Sequence, residues 1–447
     1  MDFFKKIGMI AKNDPDRLCI VKDSKKYSYG EFFNVANDIA ERLSSIGSVM
    51  DKVLIYKRDC LEQFLYFFGA SMAGKISILC PPTISNRKLN SMIEKIQPKI
   101  IISDNFELPA DKSKVPLPDK KDIFLGALSS GTTGEEKIIW RDWASWTEAF
   151  PIQSKIFGIH EKSILFIHGP FSYTANLNSA LHILSEGGSI VLTDKNRPSS
   201  WVHVIKKYGV NVVFMVPAYY RMMVKYLNEP LKDIESVVTG GAKLDFETAC
   251  SLFKIFPNAK ITEYYGASEL SYVTYNTGED IIKKNLSVGK PFPGVEIWIK
   301  EGEVWVKSPY IAPDYRPQAT VGDIGYMDSE GFLYLEGRKG DVINKGGQKI
   351  FPERVESILL KNPKIENAAV IGVDDQLKGQ EVLAMIVKKD KSLTISEVRE
   401  FCRANLEVYE RPSKIMFVND LPLNSNGKID KRRIKSQFLL DTHKIKI

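Results

Sequence analysis

The chain has 447 residues, of which 44% are apolar and 26% charged, as in an ordinary globular protein of two or three domains. Its net charge of +7 comes without a basic patch interleaved with aromatic residues, which argues against nucleic-acid binding. The five cysteines are scattered and form no C-x-x-C pair, which indicates a reducing compartment and no structural metal. No apolar run approaches the ~20 residues that cross a bilayer, and no signal-peptide core follows the N-terminus. We therefore expect a cytoplasmic protein without a transmembrane segment.

Residues 1–125 alternate between helix-like and strand-like segments. Apolar residues spaced by three and four predict a helix over Asn34–Leu43. Short apolar runs predict strands at Val53–Tyr56, Ile76–Leu79 and Ile100–Ser103. This alternation favours a layered α/β domain with parallel strands.

One segment of this region imitates the phosphate loop of ATPases. Gly69, Gly74 and Lys75 have the spacing of that motif, but Ile76 replaces the hydroxyl residue that would hold magnesium. The preceding residues continue a helix-like apolar run. We therefore interpret Gly74 as the end of a helix.

A stretch rich in glycine and hydroxyl side chains follows a strand predicted at Ile123–Leu128. Its residues are Ser129, Ser130, Gly131, Thr132, Thr133, Gly134, Glu135, Glu136 and Lys137. Glycines let the backbone turn its N–H groups inward, and fixed N–H dipoles with a nearby cation favour the oxygens of a polyphosphate. We interpret the stretch as a phosphate-binding loop. The alternative is a plain turn between two strands.

Residues 140–270 repeat the alternation of strands and helices. The predicted strands are Ile164–His168, Ser189–Leu192, Val212–Val216 and Ser236–Thr239, and the predicted helices include Ser199–Tyr208 and Pro217–Leu227. Residues 295–306 then alternate around a Lys-Glu-Gly-Glu turn, which predicts a β-hairpin.

The segment 337–341 is the best domain boundary. We predict an N-terminal domain at 1–337, a hinge at 338–341 and a C-terminal domain at 342–447. From Arg338 onward the chain carries 22 Lys and Arg against 15 Asp and Glu, which accounts for the whole net charge. A basic lobe fits a phosphorylated partner, and a solvated basic face explains it equally well.

Five blocks follow one another along nearly the full length of the chain. They are Ser129–Lys137, Gly240–Ala242, Tyr265–Glu269, Gly322–Arg338 and Asn426–Lys428. In order and spacing they resemble the adenylate-forming superfamily of acyl-CoA synthetases, adenylation domains and beetle luciferases. The resemblance implies a large N-terminal AMP-binding domain of layered α/β subdomains with a β-hairpin or barrel-like subdomain, and a small mobile α+β C-terminal domain.

The third block combines an aromatic ring, a hydroxyl and a carboxylate. A ring can stack on a purine, and Mg²⁺ prefers oxygen ligands. The resemblance implies that Tyr265 and Gly266 lie at the adenine, that Ser268 lies at the α-phosphate, and that Glu269 binds magnesium. The alternative is a buried tyrosine and a surface glutamate.

Two other blocks complete the predicted nucleotide site. The resemblance implies that Gly241 and Ala242 lie along the adenine and the acid, where a glycine turn permits close approach. It also implies that Asp323 and Arg338 hold the ribose, since a carboxylate can accept from both hydroxyls. Structural turns are the alternative.

The C-terminal part carries the last predicted site residues. The resemblance implies that Lys428 serves the adenylation step, where its charge opposes the negative charge that develops on phosphate, and that Thr132 faces the same cleft. It also implies that Lys345, Gly346 and Gly347 line the path of the CoA pantetheine. A tight turn is the alternative for the last three.

Some residues depart from the family pattern. Glu136 replaces the usual proline of the phosphate loop, and Gly340 stands where relatives often carry an Asp or Lys hinge residue. Arg141, Ser145 and Trp146 resemble a subgroup of short bacterial acyl-CoA ligases.

The resemblance implies an ATP- and Mg²⁺-dependent ligase that activates a small carboxylic acid as acyl-AMP and transfers it to CoA. The candidate pocket residues Phe171, Tyr173, Ala175, Ala242 and Tyr264 include no carboxylate, which favours a fatty or aryl acid over an amino acid. The alternatives are transfer to the phosphopantetheine of a carrier protein, a nucleotide-binding scaffold without turnover, and a luciferase-like oxygenase.

Overall fold

The computed structural model describes residues 3–116, 118–130, 136–375, 378–423 and 429–444. Their contacts divide the chain into two units: Met1–Ile297 with Val306–Ala319, and Trp298–Trp305 with Thr320–Ile447. The predicted hinge at 338–341 stays a prediction. In the structure Lys339–Asp341 forms a short 3₁₀ turn inside the second unit.

The helices of the first unit are α1 Phe3–Asn13, α2 Tyr29–Ser44, α3 Cys60–Met72, α4 Asn86–Ile96, α5 Ala144–Thr147, α6 Phe150–Phe157, α7 Thr174–Ser185, α8 Pro198–Lys207, α9 Pro217–Tyr226, α10 Phe246–Ile255 and α11 Asp280–Lys283. Its strands are β1 Leu18–Lys22, β2 Lys25–Ser28, β3 Lys52–Ile55, β4 Ile76–Leu79, β5 Ile100–Ile102, β6 Ile123–Ser130, β7 Glu136–Asp142, β8 Ile164–Ile167, β9 Ser189–Leu192, β10 Val212–Met215, β11 Ser236–Gly240, β12 Lys260–Ala267, β13 Ser271–Thr277 and β14 Ser287–Pro291.

Two mixed sheets organise the first unit. In the larger one, strands β12, β11, β10, β8, β9 and β1 run parallel, and antiparallel strands extend it at both ends. In the smaller one, β5, β3, β4 and β6 are parallel and β7 is antiparallel to β6. The predicted α/β alternation is therefore confirmed.

The ends of two helices explain why the early segments fold as predicted. Ser28 caps α2 by accepting from the Glu31 amide, and the Glu31 side chain accepts from the Ser28 amide in return. Helix α3 ends at Met72, and Gly74 adopts a φ of +67°, which glycine tolerates without strain. The Lys75 ammonium donates to the carbonyls of Ile46 and Ser48, so this segment is a helix terminus, as predicted.

The predicted hairpin is formed by β15 Glu296–Lys300 and β16 Glu303–Lys307, and β17 Gln318–Ala319 pairs with β16. The remaining elements of the second unit are β18 Asp323–Met327, β19 Leu333–Arg338, β20 Ile343–Lys345, β21 Gln348–Ile350, α12 Pro352–Leu359, β22 Ile365–Asp375, β23 Gly379–Lys388, α13 Ile395–Asn405, β24 Lys414–Val418 and α14 Lys431–Lys444.

A sheet of order β21-β20-β23-β22, with β24 beside β23, forms the core of the second unit. Ala368 and Val370 contribute to the apolar cluster on one face, and Ala369 and Ile371 to the cluster on the other. Because neighbouring side chains of a strand point to opposite faces, this continuous apolar run needs cover on both sides. Over the described parts of both units, no helix is long and apolar enough to span a membrane.

Candidate active site

Two of the predicted blocks, Gly240–Ala242 and Tyr265–Glu269, lie at one edge of the larger sheet. Strands β11 and β12 are parallel, with Gly240 opposite Tyr264, so the residues that follow these two positions lie side by side. A Cβ on Gly240 would lie 2.6 Å from the Tyr264 ring, and Gly241 has a φ of +82°. Both glycines are therefore required by the geometry. In open α/β sheets this edge, at the carboxyl ends of parallel strands, is where ligands bind.

A tight hairpin between β12 and β13 carries Tyr265, Ser268 and Glu269. Its last pair is Ala267 with Ser271, and all three of the predicted residues are half-buried. The Ser268 hydroxyl lies 3.4 Å from that of Thr174, at the start of α7. The hairpin thus presents a ring, a hydroxyl and a carboxylate within five residues.

The guanidinium of Arg141 donates hydrogen bonds to this hairpin. Arg141 lies in β7 and is 1% exposed. Its Nη1 donates to the carbonyls of Ser268, at 3.2 Å, and Glu269, at 3.5 Å, and its Nη2 donates to the Ser271 hydroxyl and to the Tyr310 carbonyl at 2.9 Å. Burial lowers the pKa of Arg141 to about 9.

The neighbouring carboxylate, Asp142, is bound by a different arginine. Its two oxygens lie 2.8 and 2.9 Å from the Arg316 guanidinium, and the Ser145 amide donates to it at 3.0 Å. Arg141 therefore makes its hydrogen bonds with neutral oxygens, although Asp142 and Glu269 act on it through space.

The donor set at Glu269 fits magnesium. Within the described ranges, no three His, Cys, Asp or Glu side chains lie together in a way that could hold a metal ion. A metal site made of protein ligands alone therefore has no support there. Mg²⁺ usually keeps several waters and takes one or two carboxylates together with substrate phosphates. The single half-buried carboxylate of Glu269 beside Ser268 matches that requirement.

The predicted phosphate loop connects two antiparallel strands. Ser129 pairs with Lys137 and Ser130 with Glu136, so the strands continue further into the stretch than predicted. Lys137 is exposed. The predicted site residues Gly131, Thr132, Thr133 and Gly134, the Ser130 side chain and the predicted catalytic Lys428 lie outside the described residues.

The second unit brings Asp323 and Arg338 together. They are opposite each other in the β18–β19 register, and the Arg338 Nε donates to the Asp323 carboxylate at 2.7 Å. Asp323 is 6% exposed. The arginine thus fixes the direction of the carboxylate, and their predicted contact with a ribose stays a prediction.

The hairpin between β20 and β21 contains the other predicted residues of this unit. Lys345 pairs with Gln348, and the two loop residues Gly346 and Gly347 have φ values of +56° and +84°. Two positive φ values are typical of a type I′ turn, so the tight turn is observed. The Lys345 ammonium lies 3.0 Å from Glu381.

The segment after the predicted catalytic lysine is anchored at the start of α14. The Lys431 ammonium lies 2.9 Å from carboxylate oxygens of both Glu353 and Glu356 in α12. Burial raises the pKa of Glu356 to about 7. Two carboxylates therefore fix the chain three residues beyond Lys428.

A family model for AMP-binding enzymes matches residues 9–115 and 103–316, and a model for the C-terminal domain of AMP-binding enzymes matches residues 354–428. The chain belongs to the AMP-binding enzyme family. The predicted membership of the adenylate-forming superfamily is therefore confirmed.

Curated relatives of this AMP-binding enzyme are named as CoA ligases. It is 29% identical to an uncharacterized acyl-CoA ligase, YhfT, of Bacillus subtilis (strain 168), covering 95% of this chain and 96% of the relative. It is 25% identical to the 2-succinylbenzoate–CoA ligase of Lactococcus lactis subsp. lactis (strain IL1403), covering 91% and 95%.

A solved structure confirms the predicted fold class. The o-succinylbenzoate CoA synthetase of Bacillus subtilis, solved with its acyl-adenylate intermediate, superposes with a TM-score of 0.86 at 22% identity, covering 96% of this chain and 97% of that one. The same synthetase has also been solved with ATP and magnesium.

Two residues that contact the Ser268–Ser271 turn of this AMP-binding enzyme are not predicted as site residues from the sequence. Arg141 is only a departure from the family pattern there, and Thr174 is given no role. Their contacts with Ser268 join segments more than 90 residues apart. Only the unusual Arg141, Ser145 and Trp146 pattern gave a signal, and the structure places the Arg141 guanidinium 3.2 Å from the Ser145 carbonyl and 5.9 Å from the centre of the Trp146 ring.

Proposed function

We propose that this enzyme is an ATP- and Mg²⁺-dependent acid–thiol ligase. The carboxylate of the acid attacks the α-phosphorus of ATP, which forms an acyl adenylate and releases pyrophosphate. The thiol of CoA then attacks the acyl carbon, which forms a thioester and releases AMP. Passing through a mixed anhydride divides one difficult step into two easier ones.

One observation carries the proposal: the Gly241 turn and the Tyr265–Glu269 hairpin leave the same edge of the parallel sheet. The parallel pairing of β11 and β12 reaches Gly240 and Tyr264 there, and the Ser268 hydroxyl faces the start of α7. The edge thereby supplies a ring for a purine, polar groups for a phosphate and a carboxylate for a cation.

Each predicted residue receives a role from its chemistry. Tyr265 stacks on adenine beside Gly241 and Ala242, and Asp323, oriented by Arg338, accepts from the ribose hydroxyls. Magnesium, held by Glu269, would offset the negative charge of the phosphates. The loop of Ser129, Ser130, Gly131, Thr132, Thr133, Gly134 and Lys137 binds the phosphates.

The acid-binding region is proposed to be aromatic and uncharged. The Tyr264 ring lies 4.7 Å from that of Tyr272 and 6.4 Å from that of Phe214. Burial raises the pKa of Tyr264 well above its usual value, so its hydroxyl stays neutral. Such surroundings fit a fatty or aryl acid better than an amino acid.

CoA is the proposed acceptor, with Lys345, Gly346 and Gly347 beside its pantetheine. The curated relatives named as CoA ligases support a free acceptor. Supplying CoA and a phosphopantetheinylated carrier protein in parallel, each with a preformed acyl adenylate, tests this choice. If the thioester forms only on the carrier protein, the acceptor is the carrier protein and not CoA.

Acid-dependent exchange of label between pyrophosphate and ATP tests the first step. We expect exchange with at least one fatty or aryl acid and none without magnesium. A panel of acids ranks the substrates. A purified, folded enzyme that gives no exchange with fatty, aryl or amino acids would leave a nucleotide-binding scaffold as the better description.

Replacing Lys428 by alanine tests the proposed catalytic charge. We expect exchange to fall about 100-fold, because one positioned charge contributes on this order to a transition state. Transfer from supplied acyl adenylate to CoA should remain. Arg433→Ala, an exposed cation of α14, is the matched control and should retain exchange. Unchanged exchange in the Lys428 variant would remove this role.

A further inference from the structure

Arg141 combines deep burial with an unusual choice of hydrogen-bond partners. Its side chain is 1% exposed, and its hydrogen bonds within the described residues go to four backbone carbonyls and one hydroxyl. Its Nε is buried without an acceptor among the described residues. A buried charge is costly unless hydrogen bonds compensate it, so the location of Arg141 requires a benefit that an apolar side chain would not give.

Three of the five hydrogen-bond acceptors of Arg141 lie in one short turn. The Ser268 and Glu269 carbonyls accept from Nη1, and the Ser271 hydroxyl accepts from Nη2. Ser271 has a φ of +59°, a conformation that costs energy in residues other than glycine. The guanidinium therefore stabilises a turn that its own sequence does not favour.

A second segment of the chain, near Tyr310, also contacts the backbone of Glu269. Its carbonyl also accepts from the Ala312 amide at 2.9 Å, and Arg141 donates to the Tyr310 carbonyl in the same segment. The planar guanidinium thus bridges the Ser268–Ser271 turn and the Tyr310 region. With the backbone fixed in this way, the direction of the Glu269 carboxylate is restricted.

Arg141 also belongs to the strand that leaves the predicted phosphate loop. Strand β7 runs from Glu136 to Asp142, so Lys137 and Arg141 share one element. The strand and the guanidinium together connect the predicted phosphate loop to the Ser268–Ser271 turn. A rigid connection of this kind is how a protein keeps two groups at a set separation for one ligand.

We propose that Arg141 is a positioning residue for the metal: its guanidinium fixes the Ser268–Ser271 turn so that the Glu269 carboxylate faces the magnesium of the bound nucleotide. The proposal rests on the proposed function, because it assumes that Glu269 binds the metal. It assigns Arg141 no contact with ATP.

Binding of Mn²⁺ in place of Mg²⁺ tests the proposal without an acid substrate. Electron paramagnetic resonance measures the Mn²⁺ dissociation constant of the full chain in the presence of ATP. We expect Arg141→Lys, which keeps the charge and loses the planar fork, to raise that constant about tenfold. The thermal midpoint, followed by circular dichroism, reports any separate loss of folding.

Arg316→Lys is the matched control. Arg316 binds Asp142 and donates to the Ile311 carbonyl, and within the described ranges no hydrogen bond or ion pair joins it to the Ser268–Ser271 turn. We expect its Mn²⁺ constant to equal that of the wild type. An unchanged constant in Arg141→Lys, or an equal rise in Arg316→Lys, would overturn the positioning role.

A double variant distinguishes positioning from general loosening. If Arg141 acts through Glu269, then Arg141→Lys should weaken Mn²⁺ binding little further once Glu269→Gln is present, because coupled residues are not additive. Additive effects contradict the proposal. Should Arg141→Lys fail to fold, Ser271→Ala removes one acceptor and should raise the constant two- to threefold, and no rise would count against the proposal.

The outcomes separate this proposal from the proposed function. If the wild type binds Mn²⁺·ATP but shows no exchange with any acid, the proposed ligase activity is wrong. The Mn²⁺ constants of the variants still decide the positioning role in that case. If the wild type shows normal exchange but Arg141→Lys leaves the Mn²⁺ dissociation constant unchanged, only the positioning role is wrong. A wild type that does not bind Mn²⁺·ATP overturns both.

Discussion

Two hairpins that carry predicted site residues need their glycines for different reasons. In the β12–β13 hairpin, a Cβ on Gly266 would lie 2.1 Å from the Ser271 carbonyl oxygen. In the β20–β21 hairpin, no atom of the described residues lies within 4 Å of a Cβ on Gly346 or Gly347, but both residues have positive φ values. The first hairpin needs glycine for space and the second for backbone conformation.

This difference agrees with the roles proposed for the two hairpins. The crowded hairpin, which Arg141 also holds, is suited to keep a carboxylate at a fixed place near phosphate and metal. The open hairpin is suited to let a long, flexible acceptor pass beside it. A substitution by alanine should therefore affect the two hairpins to different extents and in different steps of the reaction.

The largest effect is expected for Gly266→Ala. The added methyl group meets backbone, which cannot move aside as a side chain can, so the Ser268–Ser271 turn must shift. We expect a loss of about 3 kcal/mol in the free energy of unfolding and a fall of about 100-fold in ATP–pyrophosphate exchange, because small displacements of catalytic groups have large effects.

Gly289→Ala is the control for this prediction. A Cβ there would lie 2.0 Å from the Tyr275 carbonyl oxygen, in the same sheet but away from the turn. Because Gly289 also has a φ of +100°, we expect a loss of stability at least as large, with exchange per folded molecule close to that of the wild type. Equal losses of exchange in both variants would show that the crowding at Gly266 has no special connection with the site.

The sequence was sufficient for elements with a strong local pattern. Strand β4 was predicted with its observed bounds, and α3 ends before Gly74 as expected, because apolar spacing and a helix-ending glycine are local signals. The Gly346-Gly347 pair between two short strands also carried a turn signal. The predicted passage for CoA beside this turn stays a prediction.

The parts that the sequence did not predict depend on distant contacts. Arg141 and Ser268 are 127 positions apart, and an isolated arginine in a sequence is expected at the surface. Its burial depends on carbonyl groups that face inward only after β12, β13 and the Tyr310 segment have assembled. No local pattern records such an arrangement of backbone acceptors.

A smaller effect is expected for Gly347→Ala. Its φ of +84° disfavours alanine by about 1 kcal/mol, and no atom of the described residues lies close enough to clash. We expect unchanged ATP–pyrophosphate exchange and an approximately tenfold slower transfer from acyl adenylate to CoA. Stopped-flow measurement of each half-reaction checks this separation.

Gly158→Ala provides the matched control for Gly347→Ala. Gly158 follows α6 with a φ of +68°, and nothing in the described part of the chain lies within 4 Å of its added Cβ. The conformational cost should be the same, about 1 kcal/mol, without an effect on either half-reaction. If Gly158→Ala slows CoA transfer to the same extent, reduced stability alone explains the Gly347 variant.

The smallest change in stability is expected for Gly346→Asn. This variant separates the effect of the backbone conformation from the effect of an added side chain. Asparagine tolerates the positive φ of a type I′ turn, so unfolding should change by no more than about 0.5 kcal/mol. The side chain would nevertheless enter the empty space beside Gly346. If the pantetheine passes there, CoA transfer slows although stability and exchange are unchanged. If transfer keeps the wild-type rate, the glycines serve only the turn, and the path of the acceptor must be sought elsewhere.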